Sequence, residues 1–179
     1  MAMTLLATNP DSTDVANVEF KTGIDNTYKL YIFKFLNVAP ATDNVGFRCF
    51  GSSDTGDNYG INKVTTSWRC KHNEDNSALD FGYVTGYDKP ADDAEAMWLS
   101  YGVGNGSDES CSGTMWLFNP SNTTYVTHFY TRFNFYGSSD ESTDFFQGGY
   151  WNVTAVVDAL KFQMDSGNMD GTIKMYGVG

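Results

Sequence analysis

Proline is scarce in this chain, with four among 179 residues, which excludes a proline-rich linker protein. Bases are scarce too: 11 Lys and Arg stand against 22 Asp and Glu, for a formal net charge of −11. Phosphate binding depends on a basic surface that releases counterions, so nucleic acid is not an expected partner, and neither is an anionic membrane surface. A charge of this sign suits a particle that must stay dispersed, and equally a soluble surface rich in acidic loops. The three cysteines, Cys49, Cys70 and Cys111, are odd in number and irregular in spacing, so they form neither a disulfide framework nor a metal cluster. Cys49 (in Phe47-Arg48-Cys49-Phe50) and Cys70 (in Trp68-Arg69-Cys70) fall inside strand patterns, where a free thiol acts as a small apolar filler. That usage fits assembly in a reducing cytoplasm. No run approaches about 18 apolar residues, so no membrane span is expected. The opening Met1–Thr8 is apolar but brief and lacks the basic start of a signal peptide, which leaves the Asn-x-Ser/Thr triplets at Asn105, Asn122 and Asn152 without weight.

Aromatic residues are abundant at 16%, and they come with 18 glycines and recurrent Asn/Asp/Ser/Gly clusters. Aromatic strands punctuated by tight turns are how an all-β sandwich spaces its loops, and the length suits one domain with a substantial core. Residues 1–14 read as an irregular arm and 15–179 as a single β-sandwich domain of about ten strands. The longest strand signal is Thr27–Asn37, apolar on both faces in its middle, as a central or covered strand would be. Further strands are expected near residues 15–21, 45–50, 63–71, 95–101, 113–119 and 125–136. In the last of these, Tyr125, Thr127, Phe129, Thr131, Phe133 and Phe135 share one face, while Val126, His128, Tyr130, Arg132 and Asn134 share a wetter one. A face that long needs a second layer, and a sandwich supplies it. Residues 151–160 hold at most one helical turn, because their β-branched density argues against a helix. Phe50–Asp54 and Tyr136–Asp140 repeat an aromatic-Gly-Ser-Ser-Asp phrase, as equivalent loops of two half-sandwiches could, though a chain this rich in Gly, Ser and Asp repeats so short a phrase by chance, and chance is the expected origin. The closing stretch reads as a hairpin: Leu160, Phe162 and Met164 alternate before a Ser166–Gly171 turn, and Ile173 and Met175 alternate after it.

Three segments carry a family resemblance: Thr22–Phe35, with its Ile24-Asp25-Asn26-Thr27-Tyr28 phrase; Leu117–Tyr130, with Phe118-Asn119-Pro120; and Ser166–Gly177, which ends Gly171-Thr172-Ile173-Lys174-Met175-Tyr176-Gly177. Together they resemble small structural proteins of tailed bacteriophages, particularly those of marine and cyanobacterial hosts. The match spans most of the chain from about residue 18 to its last residue, is weakest over 51–111, and leaves out the N-terminal arm. The resemblance implies a jelly-roll or lectin-like sandwich on the outside of a phage particle. It implies a chain assembled in the host cytoplasm and present in many copies or as a homo-oligomer, with the major capsid protein or tail proteins as partners. Each phrase also has a local physical sense. Asp25 and Asn26 offer turn chemistry, Pro120 removes a ladder donor, and Gly171 can take a positive φ.

Catalysis is not expected. A glycosidase needs two carboxylates roughly 5–10 Å apart across a cleft, and no Glu-apolar-Asp-apolar run exists: Glu19 precedes Phe20-Lys21 and Glu95 precedes Ala96-Met97. His72 lies in a charged loop and His128 on a wet strand face, and neither has a nucleophile elbow nearby. Two His and three Cys make a poor zinc set, and no cofactor is expected. Asp54, Asp57 and Asn58 supply hard oxygens and are the candidate calcium ligands, with Asn105, Asp108 and Glu109 a second such loop. Neither has EF-hand spacing, and both suit flexible acidic loop tips. Among the aromatics, Trp68, Trp98, Trp116 and Trp151 are all potential stacking platforms. The neighbours of Trp98 and Trp116 are apolar and point to core packing, whereas Tyr150 and Trp151, after Gln147-Gly148-Gly149, are the candidate exposed glycan or subunit contact. The expected role is a non-enzymatic virion structural protein, foremost a capsid decoration protein. The alternative is a tail or fibre domain that binds a host-surface glycan.

Overall fold

The computed structural model describes residues 2–179, which form twelve strands and one short 3-10 turn at Thr85–Tyr87. The strands are β1 (Met3–Thr8), β2 (Val18–Phe20), β3 (Leu30–Pro40), β4 (Phe47–Ser52), β5 (Lys63–Asn73), β6 (Leu79–Tyr83), β7 (Met97–Trp98), β8 (Cys111–Phe118), β9 (Thr127–Gly137), β10 (Glu141–Trp151), β11 (Ala159–Met164) and β12 (Met169–Val178). They build an antiparallel sandwich from an eight-stranded sheet, ordered β1-β12-β3-β8-β9-β10-β5-β6, and a four-stranded sheet, ordered β2-β11-β4-β7. The expected two-layer antiparallel architecture is therefore present, with two strands more than anticipated.

Alternation decides which residues the layers share. On the large sheet Phe33 and Phe35 of β3, Met115 and Leu117 of β8, Phe129, Phe133 and Phe135 of β9, and Ile173 and Met175 of β12 are buried. On the small sheet Phe47 and Cys49 of β4 and Leu160, Phe162 and Met164 of β11 are buried opposite them. Phe162 is the hub, with its ring 5.0 Å from Phe35 and 5.6 Å from Phe33, both contacts crossing the two layers. The Phe35 pair is edge-to-face and the Phe33 pair tilted, and aromatic pairs in such non-parallel arrangements each add about 0.5–1.5 kcal/mol beyond area burial.

Four strands cannot cover eight. The inner face of β10 and β5 is closed by the segment 84–101, irregular apart from the Thr85–Tyr87 turn and the two residues of β7. Its backbone runs along β5, with the amide of Val84 donating to Ser67 O at 3.0 Å and that of Thr65 to Lys89 O at 3.1 Å. A covering made of backbone presents carbonyls, so the residues beneath it are polar. Lys63, Thr65, Ser67 and Gln147 are all buried. The Gln147 amide donates to Ser67 Oγ at 2.9 Å and to Tyr87 O at 3.1 Å, and Lys63 Nζ donates to the carbonyls of Asp93 and Glu95. Tyr87 and Tyr101 stack at 4.4 Å and seal this loop against Phe145 and Phe135.

The structure corrects several expectations. β11 and β12 are not a hairpin: they belong to opposite sheets, and Asp165–Asn168 crosses the sandwich between them. Both strands direct their apolar sets into the core, so the sequence pattern is the one a hairpin would give. Residues 3–8, expected within an irregular arm, form β1, which pairs antiparallel with β12 and completes one edge of the large sheet. β6 and β10 were not anticipated, the strand expected over 95–101 shrinks to Met97–Trp98, and residues 152–158 carry no helical turn. The two Gly-Ser-Ser-Asp loops are a chance recurrence, as expected: one closes the β9–β10 hairpin and the other opens the long β4–β5 connection. The turn at the first resemblance segment behaves as read: Asp25 Oδ1 accepts the Thr27 amide at 2.8 Å, and the Tyr31 hydroxyl donates to Asp25 O at 2.9 Å.

Candidate functional site

The outer face of the large sheet faces solvent, and its side chains are far from ordinary surface. Register lines them up in cross-strand rows. Trp116, Tyr130, Gly148 and Thr66 form one row, Thr114, Arg132, Phe146, Trp68 and Tyr83 the next, and Ser112, Asn134, Asp144, Cys70 and Phe81 a third. Trp68 stacks on Phe146 with centroids 3.9 Å apart and planes within 1°, and the edge of Phe81 meets Trp68 at 5.7 Å. The Arg132 guanidinium lies 4.8 Å over Phe146 and is held by Asp144 at 2.7 Å. Fractional exposure is 39% for Trp68, 61% for Tyr83 and Tyr130, 75% for Phe81 and 76% for Leu79. A contiguous apolar patch of that kind marks a contact surface, because each square ångström left wet forgoes about 25 cal/mol.

A notch interrupts the patch. Gly148 has no side chain where its neighbours have rings, and the Tyr130 ring leans into the space, with Cδ1 at 3.1 Å from where a Cβ on residue 148 would stand. The resulting open groove of about 380 Å³ is walled by Trp68, Trp116, Tyr130 and Phe146, with Arg132 at its rim. Charge on this face runs against the molecule as a whole. Lys34, Lys174 and Arg132 project from the strands with Asp144 and Asp170, three bases against two acids and so a net +1, on a chain of net −11. Lys34 Nζ donates to Thr114 Oγ1 at 2.8 Å and sits 5.9 Å from the Trp116 ring centre.

Of the residues singled out from sequence, Tyr150 faces outward on β10, half-buried, with its ring 5.8 Å from His128. Trp151 does not join it. It is fully buried, against Phe129 and Gly51 and beneath the Lys63 ammonium at 5.6 Å, so it is a core residue and no glycan or subunit contact. The reason is parity: strand alternation continues to the end of β10 and sends residues 150 and 151 to opposite faces. Trp116 corrects the other way, since it is half-buried and lines the outer groove rather than the core. Trp98 is half-buried under the Arg48 guanidinium at 4.1 Å.

Asp54 and Asn58 do come together, but the loop uses them itself. The Asp54 carboxylate accepts Ser52 Oγ at 2.6 Å, the Asn58 amide N–H at 2.9 Å and Asn58 Nδ2 at 2.6 Å, and these bonds hold its pKa down at about 2. Asp57 adds only a backbone turn, its amide donating to Asp54 O at 3.3 Å. In the second acidic loop the Glu109 carboxylate accepts the Gly106 amide, with no metal ligand set assembled. Among the described residues no group of three or more His, Cys, Asp or Glu is placed to hold a metal ion. His72 bonds Asn76 at 3.0 Å and is remote from His128 along the sheet. The β9 alternation had put Tyr130 and Arg132 on a wet face, but Phe146, Phe81, Lys34 and Lys174 escaped notice, and only strand register shows that they lie together. The chain matches no protein-family model and no curated protein sequence.

Proposed function

We propose that this chain is a non-enzymatic structural protein on the exterior of a phage particle, foremost a capsid decoration protein, and that it docks through the outer face of the eight-stranded sheet. The observation that carries the reading is the aromatic row Trp68–Phe146 under the Asp144-paired Arg132, on a face whose Lys34 and Lys174 leave it slightly positive on an otherwise acidic molecule. Such a face complements an acidic, partly apolar protein surface, and repetition of one contact over a lattice converts modest affinity into stable occupancy. The sequence resemblance supports the same assignment. The test is to add purified chain to particles assembled without it. Saturable binding at hundreds of copies per particle is expected, with Trp68→Ala/Phe146→Ala lowering apparent affinity at least about tenfold, the effect of losing two aromatic anchors. Binding that the double substitution leaves unchanged, or no binding at all, would refute the assignment.

The Gly148 notch favours a second reading, a glycan-binding tail or fibre domain, because its ring-lined walls offer stacking surfaces to a sugar. Copy number separates the two, since a few to some tens of copies per particle mark a tail component. Retention on immobilised host glycan, abolished by Trp116→Ala, would favour the tail reading.

A further inference from the structure

A sandwich of two open sheets has four edges, and native proteins blunt such edges against stray pairing. Three are blunted here. β2 has three residues and β7 has two, while β1 is broken by a register shift between Leu5 and Ala7. The fourth edge, β6, pairs with β5 without interruption from Leu79 to Tyr83 and contains no proline, lysine or bulge. Its outward side chains, Leu79, Phe81 and Tyr83, are also among the most exposed apolar groups of the molecule.

The backbone of β6 can be assigned side by side with the register. The Asn73 amide donates to Ala78 O at 3.0 Å and the Val84 amide to Ser67 O at 3.0 Å, so these are hydrogen-bonded pairs that bracket the ladder. Antiparallel pairs alternate, so Asp80 and Gly82 bond to β5, while the N–H and C=O groups of Leu79, Phe81 and Tyr83 point away from it. Among the described residues nothing pairs with them.

We propose that β6 is a homotypic interface: a second copy adds its own β6 antiparallel about a twofold axis at Phe81, joining two large sheets into one. In that register Phe81 meets Phe81 of the second copy and Leu79 meets Tyr83, all as hydrogen-bonded pairs, forming about six main-chain bonds. Asp80 falls opposite Gly82, so no like charges meet although each chain carries −11, and its carboxylate is already held by Arg69 at 2.7 and 2.9 Å. The five-residue segment Leu-Asp-Phe-Gly-Tyr is self-complementary in shape and charge, which favours a second copy over an unrelated strand. Two such strands bury less than the ~1,600 Å² of a standard interface, so a dissociation constant of roughly 10–100 μM is expected. The pairing stands on edge geometry alone and does not depend on the docking role proposed above.

Sedimentation of the full chain from about 1 to about 500 μM tests it. The weight-average mass is expected to rise from the 19.8 kDa monomer toward twice that value. F81K and F81E should each remain monomeric and folded, with melting curves that match one another and fall only slightly below the native one, because Phe81 is exposed and gives up only its edge contact with Trp68. An equimolar mixture of the two should dimerise again, since position 81 faces its own counterpart across the axis. A monomer throughout, dimers that persist in F81K, growth beyond the dimer, or a mixture that stays monomeric would each overturn the interface.

Discussion

An indole at position 151 occupies the space that Gly51 leaves open, its ring atoms only 3.0 Å from where a Cβ on residue 51 would stand. Trp151→Ala removes that plug and should lower unfolding free energy by about 3–5 kcal/mol in a urea titration, without altering which surfaces the folded protein presents. Lys63, just above it, has a different signature. Burial pulls its ammonium down to about 8 from 10.5, against the opposing pull of Asp93. Between those values the unfolded chain binds a proton that the folded chain does not, so this group makes stability rise with pH across the window. Lys63→Met should lack that rise, which parallel melts at pH 7.5 and pH 10 would register as a converging difference between variant and native chain. Residue identity alone showed that Tyr150 and Trp151 were a large aromatic pair but not that they part company. Alternation parts any two neighbours on a strand, but the sequence shows no strand over 141–151, whose inward positions are mostly polar or small.

Strands that carry regular apolar alternation were legible. β9 was read nearly residue for residue, and β3, β4, β5 and β8 were located within a few positions of their ends. β10 was hidden because its inward set, Glu141, Thr143, Phe145, Gln147, Gly149 and Trp151, is mostly polar or small. That composition follows from a loop covering it instead of a sheet, a tertiary fact with no local trace. β6 was hidden because it buries neither face, and short edge strands have no periodic core signal. At the end of the chain, Gly171 has φ +131° at the bulge where β12 meets β3, and a Cβ there would stand 2.7 Å from Val38 Cα. Gly171→Ala should cost roughly 1–3 kcal/mol through backbone strain and that clash, measured by chemical denaturation. Gly148→Leu addresses the opposite face of the fold's main sheet. It should displace the Tyr130 ring and fill the notch, so any ligand held there is lost while thermal stability changes by less than about 1 kcal/mol, the usual range for an exposed position.

For the whole molecule, net charge was a misleading guide to the part of the surface that matters. A value of −11 describes mainly loops, whereas the strands of the outer face sum to +1, and only topology separates the two sets. Docking through that face should therefore weaken as salt is raised from about 50 to 500 mM, because exposed charges more than a few ångströms apart are screened. Salt-independent particle binding would assign the contact to apolar groups alone. The crossing of the sandwich between β11 and β12 bears on how the molecule comes into being. β12 lies between β1 and β3, so β1 has no partner in its sheet until the last of these twelve strands is available, more than 160 positions later. Until then the large sheet has a gap at β3, and β1 is a loose thread. Contacts this distant in sequence make folding slow. A chain stalled shortly before residue 169 would expose the unsatisfied edge of β3, with its apolar middle, to any neighbouring strand.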